Sequence, residues 1–226
     1  EPVEQLLYLA AEHVSERAYV VAPAGDIERC RDLAINTRAF RFNNEFLTDI
    51  AERLFPLDLL SASILTLSLQ KYGQNERSLF SFLEATDHTS LERFSGQENP
   101  FYNLSSVYDY LNLNFYSFLT SRYNPDFAAW GAVRLSIEEV ERIFTTDIND
   151  YVKAVKTIGL LNIFAASGSV LDLSFLSSYL KIACGLGNPE EILKNLETKK
   201  IIRYRAHAKR FILFEGTDLD IETAIL

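Results

Sequence analysis

Asn75, Glu76 and Arg77 stand together two residues after Gly73, at the expected start of a helix. A carboxylate such as Glu76 is favourable there, because the first turn carries partial positive charge. Arg77 in the same turn is locally unfavourable by up to about 1 kcal/mol. An arginine beside unbonded helical N–H groups also builds an anion site. The competing reading is an ion pair from Arg77 to Glu84 or Asp87.

A second cationic set lies near the C-terminus. Lys194, Lys199, Lys200, Arg203, Arg205, Lys209 and Arg210 outnumber the acids of the same stretch, Glu190, Glu191, Glu197 and Glu215. Such a strip can bind phosphates without reading sequence. A recognition helix, however, meets base edges with its N-terminal residues, and here those are Glu190 and Glu191. A solvated strip that packs against another domain is therefore favoured over contact with nucleic acid, and any nucleic-acid binding is expected to be weak.

No catalytic or metal constellation emerges. His13, His88 and His207 lie far apart, none with a Cys or His at ligand spacing, and none has the partners of a serine triad. Asp218, Asp220 and Glu222 alternate, but Thr217 to Asp220 reads more simply as a capping box. Phe115, Tyr116 and Phe118, with Tyr108 and Tyr110, could stack bases, yet their spacing with Leu111 and Leu119 fits a helical core. Cys30 and Cys184 have no motif spacing and read as buried reduced thiols.

The elements that must position these residues are mostly helices. Leu6, Leu7 and Ala10 mark one over Val3 to Val14, and another covers Ile27 to Ile35 after the turn at 24–25. Phe46, Ile50 and Leu54 predict a helix over Asn44 to Leu54. Pro56 suits the first turn of the next, which ends at Gly73. The stretch from Phe55 to Leu69, interrupted by Asp58, Ser61, Ser63, Thr66 and Ser68, is too short and too polar to span a bilayer and is expected to be a core helix. The helix opened by Asn75 should bury Leu79, Phe80 and Phe82 or Leu83. Val107, Leu111, Phe115, Phe118 and Leu119 form one amphipathic stripe. Trp130 follows Pro125, and Ser136 with Glu139 reads as a capping box. Tyr151 to Phe164 is a helix despite Gly159.

Beyond residue 165 the pattern changes. Val170 to Leu173 is extended, Phe175 to Ile182 helical, and Asn188-Pro189 caps a helix over Glu190 to Thr198. Ile201 to Arg205 and Arg210 to Phe214 are β-like. This is the order of a winged helix. The expected fold is mainly α: a multi-helix domain at 1–147 and a winged-helix module with a small β-wing at 148–226. Hydrophobic residues at 48% supply a real core, and a formal net charge of −9 argues against unspecific binding to nucleic acid or anionic membrane over the whole surface.

Three segments together carry a resemblance: Gly73-Gln-Asn-Glu-Arg-Ser-Leu-Phe-Ser-Phe-Leu83; Lys156-Thr-Ile-Gly-Leu-Leu-Asn162; and Ile202-Arg-Tyr-Arg205 leading to Phe214-Glu-Gly-Thr-Asp-Leu-Asp220. Over roughly residues 50 to 222 the chain resembles the region that follows the P-loop core in large bacterial ATPases of the AAA+/STAND type. The resemblance implies a helical lid followed by a winged helix, in a cytoplasmic protein that binds ATP and Mg. It would let Arg77, with Asn75 and Glu76, sense nucleotide phosphate or an adjacent acidic group. The pattern G-x-x-x-x-G-K-[S/T] occurs nowhere in the chain, so the resemblance places the ATP-binding core before Glu1. The absence of any Met fits that expectation. The expected partners are an upstream P-loop domain of the same polypeptide and other protein subunits. The alternative is a stand-alone helical module for protein interaction or weak nucleic-acid binding.

Overall fold

The computed structural model describes residues 3–15, 25–41, 43–73, 76–96 and 99–214. Among them are eleven helices and one two-stranded antiparallel sheet. The helices are α1 (Val3–Ser15), α2 (Asp26–Thr37), α3 (Asn44–Ile50), α4 (Leu59–Tyr72), α5 (Glu76–Leu83), α6 (Leu104–Asn114), α7 (Tyr116–Leu119), α8 (Phe127–Ile143), α9 (Ile148–Phe164), α10 (Leu173–Ile182) and α11 (Pro189–Thr198). The strands are β1 (Ile202–Arg205) and β2 (Arg210–Leu213). The mainly helical fold with a small β-wing is the one the sequence predicts.

At the centre lies α4, buried on nearly every side. Its polar residues tolerate this because they bond within the helix. Ser63 donates to the Leu59 carbonyl at 2.7 Å, Thr66 to Ala62 at 2.8 Å and Ser68 to Ile64 at 2.8 Å. A buried hydroxyl satisfied in this way avoids the desolvation cost of an orphaned group. No helix among the described residues is long and apolar enough to cross a membrane.

Helices α8 and α9 cross closely at Gly159. A Cβ built there would stand 2.4 Å from Val133 Cγ2, so the glycine that weakens the helix locally is what lets the two backbones approach. At Gly73 the reason is similar. Its φ is −112°, not left-handed, and a Cβ would meet Ser78 Oγ at 2.2 Å.

Residues 148–214 adopt winged-helix order. After α9, Leu171 makes a short parallel bridge to Arg210: its N–H donates to the Lys209 carbonyl and its carbonyl accepts from Phe211 N–H, both at 3.0 Å. Then come α10, α11 and the β1–β2 hairpin, closed by a 3-10 turn at Ala206–Ala208. The hairpin pairs Ile202 with Leu213 and Tyr204 with Phe211 on one face, and Arg203 with Ile212 and Arg205 with Arg210 on the other. One hydrophobic cluster runs from α1 to β2 without a break at residue 147. Helix α2 packs on α10, and the Thr37 and Ala39 carbonyls accept from Val170 and Ala166 N–H at 2.9 and 2.8 Å.

Several local expectations give way. The third helix stops at Ile50, followed by turns. Pro56 lies before α4, not in its first turn: its carbonyl accepts from Tyr102 N–H at 2.8 Å, and Asp58 is the cap that starts the helix. Ser136 and Glu139 form no capping box. The stripe Trp130, Val133, Val140 keeps α8 helical through them, Ser136 is buried, and Glu139 accepts from Arg142 Nε at 2.9 Å. The stripe after Val107 breaks at Phe115 between α6 and α7. Phe80 and Tyr116, expected inside, are exposed. The extended piece ends at Asp172, whose side chain accepts from Phe175 N–H at 2.9 Å and starts α10 at Leu173. The proposed capping box from Thr217 to Asp220, and the turn's Ala24, lie outside the described residues.

Candidate functional site

Three helix ends meet in a buried polar junction. Asp58, the N-cap of α4, accepts from Ser61 N–H at 3.0 Å and from Ser61 Oγ at 2.6 Å. Tyr179 of α10 donates its hydroxyl to Asp58 Oδ2 at 2.8 Å and accepts from the Leu104 N–H, in the first turn of α6, at 3.1 Å. Asn103, the N-cap of α6, accepts from Ser105 N–H at 2.9 Å and donates to the Ala183 carbonyl beyond α10 at 3.0 Å. Two helix N-termini and one C-terminus therefore satisfy one another directly. Burial pushes the Asp58 carboxyl above its ordinary range, against the bonds from Ser61, Tyr179 and the Leu60 amide, which draw it down. Burial likewise raises the Tyr179 phenol and the nearby Cys184 thiol. Cys30 and Cys184 are both buried free thiols, and burial raises the Cys30 thiol too, so neither is a ready nucleophile.

The C-terminal cations are spread over three places. Lys194 and Lys199 are exposed on and just after α11, beside Glu190, Glu191 and Glu197, which are exposed as well. Arg203 and Arg205, both half-buried, share one face of β1, with Arg210 the register partner of Arg205, and Arg203 stands 5.7 Å over the Phe214 ring. Lys209 is exposed in a left-handed turn, at φ 50°. Arg210 is not a surface cation of the same kind. It donates to the Ala166 carbonyl at 2.9 Å and bonds Ser169 Oγ, stapling β2 to the turn before Leu171. Burial lowers its guanidinium from the ordinary value. The hairpin's far edge is clamped by Asn162 of α9, which donates to the Phe211 carbonyl at 3.0 Å and accepts from Leu213 N–H at 3.1 Å.

Glu76 and Arg77 fall in the first turn of α5; their side chains, and all of Asn75, lie outside the described residues. Helix α5 packs on α1 and α4. Among the described residues no cluster of three or more His, Cys, Asp or Glu could hold a metal ion. A cleft of about 690 Å³ opens, among the described residues, between residues 88–96, with Asn99, and one face of α6. It was not legible from spacing, because its walls come from a loop and a helix with unrelated patterns. Asn112 of α6 borders it, and its Oδ1 is shielded from solvent yet accepts no hydrogen bond from the described residues; such an orphan costs about 1–3 kcal/mol.

No family model matches the chain, and no curated protein or solved structure matches it significantly.

Proposed function

We propose that this chain is the non-catalytic helical and winged-helix region of a cytoplasmic P-loop ATPase, and that it couples nucleotide state to partner binding or conformational change. The observation that carries this reading is α4. Its 14 residues make a rod about 21 Å long at 1.5 Å per residue. One end runs through Gly73 into the turn that holds Arg77. The other end, at Asp58, is bonded to Tyr179 of the winged helix. A rod packed along most of its length transmits displacement, because a dense core does not deform continuously. The ordered junction at its N-terminus ties that displacement to α6 and α10 together. Two buried free thiols suit a reducing compartment.

The phosphate-loop pattern is absent from the sequence, so no catalytic step on ATP is assigned to this chain. ATP and Mg belong to the upstream domain this reading requires. The coding sequence before Glu1 tests it first. A G-x-x-x-x-G-K-[S/T] loop after a strand supports the proposal; a nearby start codon with no such loop contradicts it. In the intact gene product, Arg77→Ala should then lower ATPase rate or nucleotide-dependent assembly with the fold unchanged. A variant equal to the parent in both would leave Arg77 a surface or ion-pairing residue.

A second reading, a stand-alone module for protein interaction or weak nucleic-acid binding, draws on Arg203 and Arg205 sharing one face of β1. The exposed Glu190 and Glu191 at the start of α11 oppose entry into a major groove.

A further inference from the structure

The geometry points to the outer face of α8 as the surface on which two copies of this chain associate, their α8 helices crossing antiparallel at Gly131. Helix α8 has two faces of opposite character. Trp130, Val133, Ser136 and Val140 are buried, on the side that packs on α9 and β2. Phe127, Gly131 and Leu135 follow one another at four-residue spacing on the other side, where side chains of successive turns line up. Phe127 and Leu135 are 39% and 66% exposed.

Gly131 makes a dip between these two side chains, and among the described residues nothing in the fold requires it. At Gly159 a Cβ would strike Val133; at Gly131 it would meet only Arg134 Nη2, at 3.9 Å, an ordinary contact. A helical glycine with room for a side chain weakens its helix relative to alanine and gains nothing inside the monomer. What a missing Cβ does permit is the close approach of a second backbone.

The order Phe127, Gly131, Leu135 is its own complement, which makes a second copy the fitting occupant. Gly131 is the midpoint, about 6 Å from each neighbour at 1.5 Å per residue. Two antiparallel copies crossing there set Phe127 of each against Leu135 of the other, an isologous contact closed by a two-fold axis. Charge selects the antiparallel sense. Glu138 and Glu141 are exposed near the C-terminal end of α8, and Arg122 is exposed in the turn before its N-terminal end. Asp126, the acid at the N-terminal end, is engaged by Lys71 and Tyr72. Antiparallel copies bring the acids of one α8 toward Arg122 and the partially positive helix start of the other; parallel copies would oppose acid to acid. One helix face is a small interface, so the dimer is weak and reversible, with a dissociation constant of about 1 μM or higher.

Sedimentation equilibrium on the whole chain over a concentration series tests this. The expected result is a monomer–dimer equilibrium that weakens as sodium chloride is added, because screening removes the attraction between unlike charges. Leu135→Asp, at an exposed position that should leave the melting temperature unchanged, is expected to weaken the dimer about tenfold or more, as loss of an interface anchor does. Gly131→Ala should move two readouts in opposite directions: the melting temperature of the dilute monomer rises, while the dimer weakens. A role confined to the monomer would move only the first. A chain that stays monomeric at about 1 mM, a dimer that keeps the parent's affinity in either variant, or one that does not weaken with added salt would overturn the proposal.

Discussion

The junction of α4, α6 and α10 and the β1–β2 wing use similar polar residues to opposite ends. At the junction, Asp58, Asn103 and Tyr179 are buried, and each bonds to another helix as well as, for Asp58 and Asn103, to its own first turn. In the wing, Arg203, Arg205 and Lys209 are at least partly exposed. The difference teaches where polar groups determine structure and where they leave it alone. A polar group withdrawn from water must have its partner, so its loss is felt by every element it joins. A cation that keeps contact with water loses little when its partners are removed.

The largest expected effect is at the junction. Tyr179→Ala removes a fully buried ring and leaves both Asp58 and the Leu104 N–H short of a partner, so a loss of about 4 kcal/mol is expected in urea unfolding. A loss below about 1 kcal/mol, the range of ordinary surface changes, would mean the junction does not hold the helices together.

Asp58→Asn sharpens the same point through pH. In the unfolded chain the carboxyl titrates near pH 4, whereas burial raises it in the native state. The native protein therefore holds the proton over a window that the unfolded chain does not. The resulting stability is fully present below about pH 4 and is lost as pH rises through the folded value. Asparagine does not titrate. The stability of the variant relative to the parent should thus climb from about pH 4 upward and level off once Asp58 is ionised in the fold. A difference that stays flat from acid to neutral pH would show that burial does not move the Asp58 carboxyl away from its value in the unfolded chain.

Arg210 breaks the simple division, since it belongs to the wing in sequence and to the buried network in structure. Arg210→Ala should cost about 1–2 kcal/mol by removing bonds to Ala166 and Ser169. The smallest effect on stability is expected for the Arg203→Ala/Arg205→Ala double variant, within about 0.5 kcal/mol of the parent. If the wing touches duplex DNA, this variant should flatten the dependence of log affinity on log salt by about 0.9 for each phosphate it no longer neutralises. A tight, salt-insensitive complex would identify the module as a sequence reader.

Much of the fold was legible because local rules and tertiary packing agree over most of it. Pro189 opens α11 at its first position as expected, with Asn188 before it but making no side-chain cap bond, and each strand differs from the sequence reading by one residue. Failures arose where a local signal had a tertiary competitor. Ser136 and Glu139 match a capping box, but a cap needs unbonded N–H groups, and the apolar stripe of α8 had already committed them to the helix. Proline fits a first turn, but Asp58 lies two residues later with a side chain that reaches Ser61 N–H. The Asp58–Tyr179 bond joins residues 121 positions apart, and nothing in the spacing of either announces the other. The cleft beside α6 was invisible for the same reason.

Native-state hydrogen exchange on the Tyr179→Phe variant tests most directly whether α4 joins the Arg77 segment to the winged helix. The substitution keeps the ring and removes the hydroxyl that bonds Asp58 and Leu104. The expected result is a loss of protection by a similar factor in α10, α4 and the described part of α5, because these helices open as one unit. Loss confined to α10, with α4 and α5 protected as in the parent, would contradict the account.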